Sequence, residues 1–591
     1  MHFVITSILV AVVHLALHVE TWVRVGLLAD DRHMVGGAVL RHRGDWSFGS
    51  MFVFDVPPDA SSALYRPFTD LLFWFEQPFF GTAAFGYHAV SSALHCATAM
   101  VWYLLVRRWT GSIAASLATA VLFVGWPGHS EALHWIAARV DVQSVLFASL
   151  ALLHVDAAAQ RVGPARALFV AGASVCFVIA VGSKESGVLF VPLAVIVAFV
   201  RAPNWRTAAA MVAPVVVAVV AWLAWRARVL GTWGSGTEYG WRAERIGFAT
   251  CVDWLWLLAA PVHRIHTPAI WVPVLATLHG ALLLVGVASV RSPRARTALA
   301  IGGTLATAGF VAGIGLQHLD LAALENVRYS YEPALGLCVV YGLAIAALPT
   351  RIRGPALALL VAAHAVVLDG NRQSWLRAAD VYRRMEADVF DIARATQQPI
   401  RVVQAPGVHE GAFALLNGFT EFLFMQGTAP AGTNLRGRVS STQEWEAVLG
   451  ELAASAARHE DLANAYTVHW DDGALVPFHV DPQWPRQVAP GIEVAYAWIA
   501  RTRPFVGSDA PVHVLVRSAT ACELSVRARA HREQWNGPMV RLPDGGSRAV
   551  ALELPLPISL VPDAPVEVDL VVRVGGAEQV SHLGSTWPVA R

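Results

Sequence analysis

The chain reads as a polytopic α-helical membrane protein of about eleven transmembrane helices, followed by a C-terminal extracytoplasmic domain that is α/β or β-sandwich-like. Three observations predict this. Hydrophobic residues make up 55% of the 591 and charged residues 15%, where an ordinary soluble domain carries about 25% charge. Apolar runs near the length of a bilayer span recur through the first 370 residues. Beyond them the pattern changes to short alternating segments separated by Gly, Pro and Asp.

The apolar runs fall near residues 3–23, 86–106, 113–128, 136–155, 166–181, 187–200, 207–228, 268–290, 298–316, 334–348 and 355–369. Residues 3–19 lack the basic n-region and small-residue cleavage site of a signal peptide, so they read as an uncleaved first span. Residues 247–262 are apolar and Trp-rich but contain Asp253. They are expected to lie at the interface or to re-enter rather than cross.

Orientation follows from arginine. Basic clusters occur at Arg107–Arg108, at Arg161 with Arg166, at Arg201 with Arg206, at Arg291 with Arg294 and Arg296, and at Arg351 with Arg353. The positive-inside rule places all five in the cytoplasm. The remaining loops, and the C-terminal region, then face outward. A net charge of +1 gives no footing for nucleic acid. Arginine in place of lysine, with abundant Ala, Val and Gly, fits GC-rich bacterial coding, and hence a bacterial inner membrane.

Residues 1–370 form the membrane domain and 371–591 an accessory domain. The latter opens with an amphipathic helix over 374–395 and a strand at IRVV. VHVLVRS, LSVRARA, AVALELPL and VEVDLVVRV then alternate in the manner of a small sandwich. Cys96, Cys176, Cys251, Cys338 and Cys522 are dispersed, with no CxxC pair, and read as small buried hydrophobes.

The unusual polar residues collect in the outward loops. Asp30 and Asp31 follow the first span; paired carboxylates there suit a general base or a divalent-metal ligand, and equally a solvated helix end. Tyr65 and Arg66 stand on a Tyr-Arg-Pro turn. His88 and His95 share one helical face. His129, Glu131, His134, Arg139 and Asp141 crowd the turn between the third and fourth spans. An isolated charge at the bilayer centre costs roughly 2.5–3.5 kcal/mol, so this turn implies a wet or internally paired site. Lys184 is the only lysine among 44 basic residues and sits beside Glu185. Lysine is a compact point charge, arginine a planar fork. Arg328 and Tyr329, with Tyr331 before a proline, suit a phosphate.

Taken in order, ADD (29–31), YRP (65–67), GYH with a later LH (86–88, 94–95), PGHSEALHWIAARVD (127–141), SKES (183–186) and RYSYEP (328–333) resemble the motifs of the GT-C glycosyltransferases. The branch resembled contains protein O-mannosyltransferases, TMTC-type proteins and bacterial relatives. There the fourth motif reads more like HPxHxEAVxWxxxRxD; here Trp126 replaces the first His, and Leu133–His134 replace the Val and a variable position. The likeness covers about residues 1–370.

The resemblance implies a sugar donor on polyprenyl phosphate, a glycan, lipid or protein acceptor, and an inverting single displacement on the outer face. It implies Asp30 or Asp31 as the base, with Asp31 preferred. Tyr65, Arg66, His88, His129, Glu131, Arg139 and Asp141 become substrate-binding candidates. So do Arg328 and Tyr329 at the lipid phosphate, and Lys184 with Glu185 holding it in place. No organic cofactor is implied. A divalent cation, Mg or Mn, is expected at Asp31 and Glu131. The other readings are a transporter or flippase of lipid-linked glycans and a non-catalytic glycan-assembly protein.

Overall fold

A computed structural model describes residues 2–40, 42, 65–231, 246–290, 292–315 and 321–396. Farther along it describes 400–403, 408–414, 439–442, 466–471, 474–477, 486–499, 509–530, 533–542, 548–557 and 566–586. Arg291 of the fourth basic cluster lies outside the described residues.

In a bilayer every backbone N–H and C=O must find a partner within the protein, so the apolar runs fold as helices. In chain order they begin with α1 (His2–Arg24), α2 (Asp30–Leu40), α3 (Pro67–Phe80), α4 (Ala84–Thr110) and α5 (Ile113–Val124). Next come α6 (Ser130–His134), α7 (Arg139–Ala159), α8 (Gly163–Ser183), α9 (Val191–Arg201) and α10 (Trp205–Leu230). The last are α11 (Phe248–Ala259), α12 (Trp271–Ala288), α13 (Pro293–Ile314), α14 (Tyr331–Ala347) and α15 (Thr350–Ala395). Their ends are set locally. Ser112, Asn204 and Ser292 cap α5, α10 and α13 by accepting a backbone N–H in the first turn. Gly111 and Gly231 close α4 and α10 in the left-handed conformation.

Among the described residues nine helices are long and apolar enough to cross a membrane, and α5 with the bent segment Pro127–His134 makes ten. The expected span at 187–200 differs. Glu185–Phe190 is a 3-10 segment, and the 11-residue α9 follows with Pro192 in its first turn. It still reaches from one end of the bundle to the other. Glu185 pairs with Arg226 at one end, and Arg201 pairs with Asp156 at the other. Helix α7 makes the same traverse, from Asp141 on Lys184 to Asp156.

Arg108 at the end of α4 also meets Asp156, so the tight turns after α4, α7 and α9 share one end, as the arginine pattern predicts. The segment 247–262 forms the 12-residue α11, shorter than a bilayer core. Helix α10 before it ends where Arg226 meets Glu185. Pro261 after it accepts from Asn371 Nδ2, which also donates to Pro127. Both flanks stand at the end opposite Asp156, so 247–262 does not cross.

Small residues bring helices together. A Cβ on Gly336 of α14 would stand 2.4 Å from the Gly302 carbonyl oxygen of α13, and one on Gly342 would stand 2.6 Å from the Ala115 carbonyl oxygen of α5. The amphipathic run 374–395 is not a separate helix. Helix α15 continues through Gly370, where a Cβ would strike the Thr267 hydroxyl; this glycine serves close packing, not a helix stop.

The chain divides into two compact units, Met1–Ala379 with Gly411–Phe413, and Asp380–Glu410 with Ala414–Arg591. The strands are β1 (Ile400–Val403), β2 (Val408–His409), β3 (Ala412–Phe413), β4 (Val439–Thr442), β5 (Tyr466–Asp471), β6 (Ala474–Pro477), β7 (Arg486–Ala489) and β8 (Ile492–Ile499). They continue with β9 (Asp509–Ser518), β10 (Cys522–Ala530), β11 (Glu533–Asn536), β12 (Val540–Leu542), β13 (Arg548–Pro557), β14 (Val566–Val574) and β15 (Ala577–Thr586). A mixed sheet runs β4-β1-β5-β6, with β1 parallel to β4 and β5. Two antiparallel sheets run β13-β9-β8-β7 and β11-β10-β14-β15. Val514 and Val516 of β9, Leu524 and Val526 of β10, and Leu570 of β14 share one core, which makes these two sheets a sandwich.

Candidate functional site

The end of the bundle opposite Asp156 gathers all six motifs. Its first anchor is the aspartate pair at the start of α2. Ala29 before it has φ 46°, which turns the chain sharply out of the first span. Asp31 is fully buried. Its Oδ2 accepts from Leu28 N at 2.9 Å and its Oδ1 from Ala137 N at 2.5 Å. Burial pushes this carboxyl up to about 7, against the opposing pull of those N–H donors. Asp30 beside it is half-buried.

The 126–141 turn folds as a broken helix. Pro127–His129 and Ile136–Ala138 are 3-10 turns on either side of α6. Glu131 is buried and takes Arg328 on both oxygens: the backbone N–H donates to Oε2 at 3.0 Å, and the guanidinium donates to Oε1. Arg139 is fully buried and pairs with Glu76 of α3. It also donates to the Tyr87 carbonyl at 2.5 Å and to Ser91 Oγ at 3.0 Å, and lies over the Phe73 ring. Arg139 therefore ties α3, α4 and α7 together, and its donors are committed within the protein. Burial raises the Glu76 carboxyl even beside that cation.

Lys184 pairs with Asp141, and its Nζ lies 4.6 Å from the centre of the Tyr329 ring. The expectation that Glu185 holds Lys184 is corrected: Glu185 pairs instead with Arg226 at 3.0 Å and Arg66 at 3.3 Å. Lys184 closes α8 in an extended conformation while Glu185 opens a 3-10 turn, so the two adjacent side chains leave the backbone in different directions. Burial alone would raise the Glu185 carboxyl, but Arg66 and Arg226 hold it below the ordinary range. Tyr65 stacks on Trp222 and accepts from Trp225 Nε1 at 3.3 Å; burial raises its phenol. His88 Nε2 is 3.1 Å from the Val25 carbonyl and fixes α4 to the end of α1. His129 packs against Tyr331 and His95.

Asp141, Lys184, Tyr329, Arg328 and Glu131 thus form one connected set. Tyr65, Arg66 and Glu185 form a neighbouring one. Several participants escaped the sequence reading. Glu332 accepts at 2.7 Å from the Oγ of Ser186, two residues past Lys184 in the chain. Glu76 is a single acid inside FWFEQPFF, a signal that was available. His14 and His18 stack on one face of α1, and His18 Nδ1 is 3.1 Å from His134 Nε2. Asp141 Oδ2, Ser330 Oγ and Trp135 Nε1 are buried without a protein partner.

Among the described residues no three His, Cys, Asp or Glu side chains are placed to hold a metal ion. Asp31 and Glu131 are committed to separate partners. Between α13 and the 3-10 segment runs an apolar groove of about 640 Å³, lined by Leu189, Gly303, Thr304, Thr307, Ala308 and Val311 among others. Leu189 stands one turn past Ser186.

No family model matches the chain. A stretch of 146 residues, 24% of this chain, is 26% identical to 20% of protein O-mannosyl-transferase F38B6.6 of Caenorhabditis elegans. A stretch of 89 residues, 15% of this chain, is 37% identical to 11% of protein O-mannosyl-transferase tmtc2 of Xenopus laevis. The chain spans a fifth or less of the length of these curated relatives. Among solved structures it is similar to ArnT from Cupriavidus metallidurans bound to undecaprenyl phosphate, with 15% identity over 76% of this chain and 90% of that one, and a TM-score of 0.43. It is also similar to the archaeal oligosaccharyltransferase AglB from Archaeoglobus fulgidus in complex with an inhibitory peptide and a dolichol-phosphate. That likeness has 11% identity over 98% of this chain and 97% of that one, and a TM-score of 0.41. The resemblance drawn from the motifs is thus met by curated protein O-mannosyl-transferases.

Proposed function

We propose that this chain is a glycosyltransferase of the bacterial cytoplasmic membrane. It moves a sugar from a polyprenyl-phosphate donor to an acceptor hydroxyl on the outer face, with inversion. The observation that carries the reading is the gathering of two cations, the buried Lys184 and the half-buried Arg328, beside buried carboxylates at one end of the bundle. The apolar groove past Ser186 suits the lipid tail, and the likeness to O-mannosyl-transferases agrees.

The two aspartates divide the work. Asp31 anchors the start of α2 on the Leu28 and Ala137 amides, and so aims the more accessible Asp30. The acceptor oxygen attacks the anomeric carbon while its proton passes to the Asp30 carboxylate. The bond from that carbon to the phosphate oxygen breaks, and polyprenyl phosphate leaves with the electron pair. Lys184 and Arg328 stabilise the charge it gains, most effectively where water is scarce. Each cation uses only part of its donor set on Asp141 or Glu131, so donors remain for an oxyanion. A divalent cation, if bound as the resemblance implies, would be held by Asp31 and Glu131 and would add positive charge near the leaving phosphate.

Purified chain given radiolabelled polyprenyl-phosphate sugars and cell-envelope acceptors is expected to release polyprenyl phosphate. Release that survives both Asp30→Asn and Lys184→Ala overturns these roles. Passage of the donor across a sealed vesicle without release favours a transporter.

A further inference from the structure

We propose that Phe413 is a positioning residue of the phosphate site, closing an aromatic box around the Arg328 guanidinium. The inference rests on the proposed function for the identity of the phosphate, but the geometry is independent of it. The guanidinium lies 4.7 Å from the centre of the Tyr329 ring, 5.1 Å from Trp135 and 5.5 Å from Phe413. Phe413 and Trp135 are in turn 4.6 Å apart. Tyr329 and Trp135 come from motifs already assigned to the site. Phe413 does not: it lies far downstream, beyond the last span, yet Gly411–Phe413 belongs to the same compact unit as the helices.

The approach of this segment is specific. Ala412 and Phe413 are buried. Gly411 has φ +82°, and a Cβ there would fall 2.0 Å from the Ala323 carbonyl oxygen, so only glycine allows the contact. The backbone it touches is unusual too. Leu324 and Asn326 both have positive φ, 54° and 65°, in the turn that delivers Arg328. A non-glycine residue such as Leu324 keeps that conformation only where its surroundings impose it. Gly411 bears on the residue just before it.

The box has a chemical consequence that plain packing lacks. Aromatic faces attract a desolvated guanidinium without using its N–H donors. Glu131 takes Nη1 of Arg328, the Tyr329 hydroxyl accepts from Nη2 at 3.3 Å, the rings hold its face, and the remaining N–H groups stay available for an oxyanion. An aliphatic side chain of similar volume fills the space but supplies no such attraction.

The test uses the full-length chain in lipid nanodiscs, as Phe413→Leu, Phe413→Tyr and the native protein. Hydrogen–deuterium exchange is followed over residues 327–331, together with binding of polyprenyl phosphate. In Phe413→Leu, exchange of the Arg328 amide, which donates to Glu131, is expected to accelerate at least severalfold. Binding is expected to weaken about three- to thirtyfold, the range a cation–π contact implies. Phe413→Tyr should match the native chain in both. Leu equal to native in exchange overturns the proposal, as does a folded Tyr variant that behaves like Leu. A native chain that binds no polyprenyl phosphate overturns the proposed function instead, and the exchange result still decides the role of Phe413.

Discussion

The two ends of the helical bundle solve the same electrostatic problem in different ways. At one end Asp156 is fully buried and fully satisfied. Its Oδ1 accepts from Arg201 Nε at 2.9 Å and Trp109 Nε1 at 3.2 Å, and its Oδ2 from Arg108 Nε at 2.5 Å and Gln160 at 3.4 Å. At the other end the carboxylates are more numerous and satisfaction is incomplete. Asp141 and Glu76 each keep one buried oxygen without a partner, and Ser330 Oγ and Trp135 Nε1 are left over. Buried polar atoms are nearly always paired, because leaving one unpaired costs about 1–3 kcal/mol. A residue whose every oxygen is used is a staple. A cluster that leaves several atoms unused, among cations with spare donors, is where the proposed phosphate and acceptor would add their hydrogen bonds.

The sharpest way to break this contrast is at the accessible aspartate. Asp30→Asn is expected to lower sugar transfer about 10²–10⁴-fold, the usual value of general-base help, with little change in thermal stability. Initial-rate measurements beside a melting curve separate the two. A variant that transfers normally would make the aspartate pair a helix start and nothing more.

The next effect tests whether the site end also contains pure staples. Arg139→Ala strands Glu76 in the interior and should cost about 3–5 kcal/mol, the usual price of halving a buried pair. Unfolding in detergent should show a large fall in midpoint. An unchanged midpoint would mean that water reaches Glu76 and that Arg139 is free to meet substrate.

Much of this arrangement is legible in the sequence, and the limits have physical causes. Apolar runs dictate helices because the bilayer offers the backbone no other partner, and arginine placement sorts the turns by end. The short α9 escapes because hydropathy does not distinguish a 3-10 segment plus three turns from one long helix. Motif order brings Asp31, Glu131, Lys184 and Arg328 to one end, but the partner of each depends on tertiary approach. Neighbours in sequence such as Lys184 and Glu185 diverge, while Lys184 finds Asp141 on another helix. Phe413 is invisible for the same reason: nothing near it in sequence resembles a phosphate site.

Asp31 sharpens the comparison through pH. Its carboxyl is raised from an ordinary value near 4 to about 7 in the folded chain. Below pH 4 both folded and unfolded forms are protonated, and the neutral acid is accommodated in full. As pH rises toward 7 the unfolded chain loses this proton first, so stability falls across that window. The native chain should melt lower at pH 8 than at pH 5, and Asp31→Asn should flatten that slope. A slope that persists in the variant would assign it to other groups.

Lys184→Arg asks whether charge alone suffices at the site end. Arginine keeps the cation but exchanges a compact ammonium, seated between Asp141 and the Tyr329 ring, for a wider planar fork. Donor binding is expected to weaken about tenfold, or ~1.4 kcal/mol, with Asp141 still paired. Equal affinity would make the lone lysine a compositional accident.

The smallest effect on transfer is expected from the control at the opposite end. Asp156→Asn keeps the shape and one acceptor but removes the charge that Arg108 and Arg201 share. Both arginines are partly exposed, so water replaces much of what is lost, and the expected cost is only about 1–2 kcal/mol. Transfer per folded molecule should not change, because every Asp156 contact ends within its own staple. Measuring turnover and melting together on this variant sets the scale for all the others. If turnover falls while the fold holds, the two ends are coupled through α7, which carries Asp141 at one end and Asp156 at the other, and the division between staple and site gives way to a single strained helix.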